Sequence, residues 1–204
     1  IPFELLRRAK ALHVSAISQA ISTSACDAIF AAIEAARDAG TLVSYDSNLR
    51  LKLWPLARAR AIIHAAMALC DIARPGLDDA QELTGLCDPD AIADFYLRLG
   101  AGIVALTLGR EGALVATPRE RRRVPSIAVD RIDATGAGDC FDGAFLAEYL
   151  AKRDPFVAGH YAAVAAALST RGFGAVAPIP RRAEVEAALR DTPFSNNTST
   201  SEVA

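Results

Sequence analysis

Asp133-Ala134-Thr135-Gly136-Ala137-Gly138-Asp139 is a turn that sets two glycines between two carboxylates. It runs directly into Cys140-Phe141-Asp142-Gly143-Ala144-Phe145-Leu146-Ala147-Glu148-Tyr149-Leu150, which reads as a buried helix. Glycine permits backbone angles and close approaches that a bulkier residue forbids. The free N–H groups at the start of a helix point toward whatever sits above the turn, and the helix dipole favours a negative group there. The result is an anion pocket with Asp139 at its edge. A carboxylate repels a bound phosphate, so Asp139 needs another purpose. The natural one is to accept the proton of an alcohol that attacks the phosphate. The stretch therefore points to phosphoryl transfer to a hydroxyl. An ordinary glycine-rich loop capping a core helix would account for the glycines alone.

Working outward, strands and helices alternate with short connections. Strands are expected at residues 11–17, 42–45, 70–73 and 103–108, and helices at 25–39, 56–69, 78–84 and 90–99. A small hairpin, residues 113–117 and 121–124, precedes the signature turn. Helices at 137–152, 156–169 and 182–190 follow, with a loop at Gly172 and Gly174 between the last two. Ser22 to Ser24 supply a helix N-cap cluster, and Pro89 introduces a helix. Such alternation implies an α/β fold with right-handed crossovers and a mostly parallel sheet covered by helices on both faces. Ligands in such sheets sit beyond the carboxyl ends of the strands. Three polar loops, at 46–50, 109–112 and 133–139, are expected at such ends.

The signature also carries a resemblance. Asp133-x-Thr135-Gly136-Ala137-Gly138-Asp139, followed by Phe141, Gly143-Ala144 and Phe145, resembles the C-terminal signature of the ribokinase-like (phosphofructokinase-B type) carbohydrate kinases. Ala134 is a departure, because that position is usually a small hydroxylated residue or proline. The resemblance implies that Asp139 is the catalytic base and also touches the acceptor. It implies that the backbone of Gly136, Ala137 and Gly138 binds the transferred phosphoryl group, with ATP and Mg2+ as cofactors. The neighbourhood of Asp133 can hold a monovalent cation in that family, whereas taken alone Asp133 could equally cap the turn.

Thr107-Leu108-Gly109-Arg110-Glu111-Gly112 follows a strand. By itself Gly-x-x-Gly is also a common way to turn a hairpin. The resemblance implies that Thr107, Gly109 and Gly112 line the nucleotide. Asp46-Ser47-Asn48-Leu49-Arg50-x-x-Leu53-Trp54 resembles the 2-keto-3-deoxygluconate kinase branch, in which this arginine meets the acid substrate. A guanidinium can hold a carboxylate bidentately, and a neutral sugar has less need of one. Without that context Arg50 reads as a surface side chain in a βα loop. Asn48 is implied beside the nucleotide. Ser169-Thr170-Arg171-Gly172-Phe173-Gly174-Ala175 with Pro178 also resembles this branch and is expected to close near the adenine.

Pro75-Gly76-Leu77-Asp78-Asp79 occupies the place of the family's Asn-x-x-Glu motif, with Gly76 for the Asn and Asp79 for the Glu. Asp79 is the candidate metal residue, acting through a water. Asp78 and Asp79 also read as a charge pair at a helix start. The basic run at 119–123 reads as the solvated edge of the hairpin, and the three histidines and Trp54 as packing residues.

Composition sets the outer limits. The 204 residues suit one domain, and 52% hydrophobic content supplies a sizeable core. A net charge of −2 argues against nucleic-acid or membrane partners, which need a basic excess. Cys26, Cys70, Cys87 and Cys140 lack pair spacing, so reduced, buried cysteines in a cytoplasmic protein are expected, with no zinc site. No secretory signal is visible, and no apolar run approaches the roughly 18 residues of a membrane span.

Residues 1–190 are expected to form one ribokinase-like domain and 191–204 a disordered tail. The tail's Asn-Asn-Thr and Asn-Thr-Ser triplets match glycosylation acceptors only formally. The resemblance runs from about Ala11 to Leu189 and covers the C-terminal part of the family fold. Its N-terminal strands and small β lid are expected to be missing, and a bare sheet edge would favour a homo-oligomer. The expected function is transfer of the ATP γ-phosphoryl to 2-keto-3-deoxygluconate. The alternatives are a neutral-sugar kinase of the fructokinase or ribokinase type, or an ATP-binding fragment without sugar kinase activity.

Overall fold

A computed structural model describes residues 1–192 of the chain. The expected tail from 193 onward, with its two triplets, lies outside the described residues. The described residues divide into two compact units, 1–107 and 108 onward.

The first unit carries four parallel strands in sequential order: β1 (Ala11–Ser15), β2 (Leu42–Asp46), β3 (Ile72–Arg74) and β4 (Ile103–Thr107). Its helices are α1 (Phe3–Arg8), α2 (Ala16–Ala20), α3 (Thr23–Asp38), α4 (Leu56–Met67), α5 (Leu77–Thr84) and α6 (Pro89–Leu99). β2, β3 and β4 are largely buried, as parallel strands covered on both faces are, whereas β1, at the end of the strand order, leaves His13 exposed. Val43, Tyr45, Ile72, Val104 and Leu106 are wholly buried, together with Ile33, Ile63, Leu83 and Tyr96 from the helices. α3 begins where the serine cluster predicts, with Ser22 Oγ accepting the Ala25 N–H at 3.0 Å.

Three details depart from expectation. α1 was not foreseen; it buries none of its residues, so no apolar face marks it in the sequence. The first strand stops at Ser15 instead of residue 17, and Ala16–Ala20 turns into helix. A short apolar run carries no clear period. What holds the α2 segment is Gln19, a wholly buried side chain whose Oε1 accepts the Tyr45 hydroxyl at 2.5 Å. β3 starts at Ile72, not at residue 70, because Asp71 is used sideways. Its carboxylate accepts the Val43 N–H at 2.7 Å and its carbonyl accepts the N–H groups of Gly102 and Ile103.

The second unit carries an antiparallel pair, β5 (Ala113–Ala116) and β6 (Arg121–Val124), and three helices, α7 (Ala137–Lys152), α8 (Pro155–Ser169) and α9 (Arg182–Asp191). α8 packs on both strands, on α7 and on α9. Gly159 lets it approach closely, since a Cβ there would lie 2.5 Å from Val115 Cγ2. Asp154 caps α8 by accepting the N–H groups of Phe156 and Val157 at 2.8 and 3.1 Å. The basic run is less solvated than expected. Arg122 lies over the Phe156 ring at 4.5 Å and pairs with Glu120 at 2.5 Å. Cys26, Cys70 and Cys140 are buried, but Cys87 is exposed, and none is in a disulfide. Among the described residues no helix is long and apolar enough to cross a membrane.

Candidate functional site

In the first unit the candidate residues gather at the carboxyl ends of the parallel strands. β2 delivers the loop 46–50, β3 leads to Gly76 at the start of α5, and β4 ends at Thr107. Thr107 continues the parallel ladder, with its N–H donating to Pro75 O at 3.1 Å and its residue bridged to Gly76.

The loop 46–50 is held from several sides. Ser47 N–H donates to Arg74 O at 3.3 Å, and Asn48 N–H donates to Asp46 Oδ1 at 3.2 Å. Asp79 Oδ2 accepts both the Ser47 hydroxyl at 3.0 Å and the Leu49 N–H at 2.8 Å. Asn48, between those two, has φ +26°, in the sparsely populated left-handed region that Asn tolerates better than most residues. Arg50 follows as an exposed side chain whose Nη1 donates to Leu49 O at 2.8 Å. Trp54 is buried, as expected of a packing residue.

In the second unit the signature turn opens α7. Gly136 is the N-cap residue at φ +76°, and a Cβ on it would lie 2.6 Å from Ala175 Cβ. Only glycine fits there. Among the described residues the N–H groups of Gly136, Gly138 and Asp139 meet no acceptor. Ala137 differs from expectation. Its N–H donates to Ala134 O at 3.1 Å, so the Asp139 N–H replaces it among the open donors. The Asp139 side chain is exposed in the first turn of the helix. The unit thus presents an open 16-residue helix N-terminus beside a solvated carboxylate.

Asp133 pins this turn to a second loop. Its Oδ1 accepts the Thr135 N–H at 2.9 Å and the Thr135 hydroxyl at 2.7 Å, while Oδ2 accepts the Gly174 N–H at 2.9 Å. The N–H groups of Ile132 and Asp133 donate to Thr170 O at 2.8 and 3.1 Å. The Gly174 donor above all, then the two from Thr135, stabilise the charged form and lower the Asp133 pKa to about 2.

The turn at 109–112 is more self-contained. Leu108 N–H donates to Gly112 O at 2.8 Å, and the N–H groups of Glu111 and Gly112 donate to Leu108 O and Gly109 O. Gly112 has a steric reason of its own: at φ +97° a Cβ would lie 2.1 Å from Val124 O.

Sequence reasoning missed the work of Ser47 and Gly174. Ser47 is wholly buried and reaches α5, and Gly174 holds Asp133. A serine before Asn48 and a second glycine after Gly172 were the only marks of either.

Four parallel strands, an antiparallel pair and their helices make a mostly parallel, ribokinase-like α/β fold. The model of the pfkB family of carbohydrate kinases matches residues 1–182, and the chain belongs to that family. It is 37% identical over 142 residues to a 2-dehydro-3-deoxygluconokinase of Bacillus subtilis, covering 69% of this chain and 44% of that protein. It is 35% identical over 184 residues to a 2-dehydro-3-deoxygluconokinase of Thermoproteus tenax, covering 88% and 55%. The crystal structure of a fructokinase from Vibrio cholerae O395, in a form with fructose, ADP and calcium ion bound, superposes with a TM-score of 0.81. It is 32% identical and covers 88% of this chain and 61% of that one. The chain spans about half the length of the curated relatives it matches.

Proposed function

We propose that this chain is the nucleotide-binding and catalytic part of a cytoplasmic, ATP-dependent kinase for 2-keto-3-deoxygluconate, acting on its 6-hydroxyl. The observation that carries the reading is the start of α7, where three N–H groups lack acceptors beside the exposed Asp139 carboxylate. That donor set suits the terminal phosphate of ATP. Charge builds on the phosphoryl oxygens in a loose transition state, and each preorganised donor contributes about 3 kcal/mol to stabilising it. Asp139 orients the acceptor hydroxyl and takes its proton. A carboxylate is too weak a base to form an alkoxide beforehand, so the proton moves as the bond to phosphorus forms.

Mg2+ bound with the nucleotide would neutralise phosphate charge, and Asp79 would hold it through a water. Asp79 retains only Oδ1 for a metal-bound water, because Oδ2 already accepts two hydrogen bonds. By family resemblance, Thr107, Gly109, Gly112 and Asn48 are assigned to the nucleotide. Arg50 reads the substrate carboxylate, and its exposure after a strand end leaves the guanidinium accessible to one. The monovalent cation stays in the proposal by family resemblance, and a homo-oligomer stays in it through the tendency of a bare sheet edge to pair.

A neutral-sugar kinase is the second reading, favoured by the likeness to the fructose-bound fructokinase. Phosphorylation of 2-keto-3-deoxygluconate, fructose and ribose, each with ATP, separates the two. Turnover of the keto acid at least tenfold above the neutral sugars is expected, and preference for fructose would overturn the substrate. Arg50→Ala is expected to raise the KM for the keto acid about tenfold or more while the KM for ATP changes little. Equal weakening of both would remove the carboxylate contact.

A further inference from the structure

We propose that Asp79 is a positioning residue: it shapes the loop that carries Asn48 and Arg50. One oxygen, Oδ2, holds the residue before Asn48 through the Ser47 hydroxyl at 3.0 Å and the residue after it through the Leu49 N–H at 2.8 Å. Tying both neighbours to a single point makes the chain between them bulge. The residue between them is the one with φ +26°. Arg50 leaves the chain directly after the second tie.

Asp79 lies on the first turn of α5, about 30 residues from the loop in sequence. A charge that served only the helix end would not need to reach so far. Charge matters all the same: hydrogen bonds to an ionised acceptor are shorter and roughly twice as strong as neutral ones, and two donors share this oxygen. Ser47 extends the tie, since its Oγ also lies 3.4 Å from the Gly76 N–H, one residue ahead of α5. A buried serine, a helix start and a strand end thus meet at one carboxylate, and the strained Asn48 is the conformation they impose.

The functional consequence rests on the sugar-acid reading of Arg50. If Asp79 sets that loop, removing it weakens the keto acid more than the nucleotide. If instead it serves the metal, the Mg2+ dependence of ATP binding moves and the loop does not. The test is amide hydrogen exchange on the full chain and on Asp79→Ala, Asp79→Asn and Ser47→Ala, with calorimetric titration by 2-keto-3-deoxygluconate and by ATP at several Mg2+ concentrations. In Asp79→Ala the Leu49 amide is expected to exchange at least tenfold faster and keto-acid affinity to fall about tenfold. ATP affinity is expected to fall too, because Asn48 rides on the same loop, but by less than the keto-acid affinity. Asp79→Asn, which preserves shape, should fall between, and Ser47→Ala should loosen the loop with Asp79 in place. Unchanged Leu49 exchange in Asp79→Ala, or a loss confined to the Mg2+ dependence, overturns the proposal. If the unaltered protein binds no keto acid, the substrate reading fails, while Leu49 exchange still decides the role of Asp79.

Discussion

The turn at residues 109–112 and the turn at residues 135–139 each carry two glycines, and they use them differently. In the first, three N–H groups close on neighbouring carbonyls, and Gly112 is present because β6 passes too near for a side chain. In the second, Gly136 is likewise demanded by contact, here with Ala175, but three N–H groups at the helix start have no acceptor among the described residues. A glycine-rich turn is open to an anion when its donors have no internal acceptor, and closed to one when they do. The pattern of residues is similar. The accounting of hydrogen bonds separates them.

The largest expected effect tests the open turn. Asp139→Asn should lower kcat by about 10²–10⁴-fold with thermal unfolding unchanged, and near-normal turnover would remove the base assignment. Next is the closed turn. Gly112→Ala forces a Cβ into the Val124 carbonyl at a left-handed φ and should cost about 3 kcal/mol in urea denaturation. Loss on that scale is a large share of a stability of about 5–15 kcal/mol. Gly109→Ala sharpens the contrast within the same turn. φ there is +60° with open space around the missing Cβ, so only backbone strain of about 1–2 kcal/mol is expected. Equal losses at 109 and 112 would show that strain, not contact with β6, explains both glycines.

The smallest effect concerns the support of the open turn by Asp133. Its pKa in the folded protein, about 2, lies below the ordinary carboxylate value. The stabilisation is therefore complete above the unfolded value and is lost as pH falls through about 2. The Gly174 amide shift, followed by NMR, should titrate near pH 2. A midpoint in the ordinary carboxylate range would mean that the Asp133 bond to that loop is weak.

Much of the fold was legible because its signals are local. α7 spans the residues read for it, from a glycine turn to a left-handed Arg153, and β6 does as well. Alternating apolar strands and capped helices pointed to parallel α/β units, and four strands pair that way. What failed were short segments with no period of their own. Gln19 holds α2 by a bond to Tyr45, 26 residues away, and Asp71 delays β3 by binding Val43. The candidate residues were legible as types and as strand ends, but their bonds were not. Ala137 was read as an open donor, and nothing in its neighbours announces that Ala134 would take its N–H.

From sequence came the order of the elements, the glycines and acids of the signature turn, and the arginine after β2, because each is encoded within a few residues. Tertiary structure alone decided which amides stay open, that Gly112 must clear Val124, and that Asp79 and Asp133 grip backbone 30 and 41 residues distant. Those outcomes depend on where remote carbonyls, carboxylates and N–H groups come to lie once the chain packs, and no local pattern of residues carries that information.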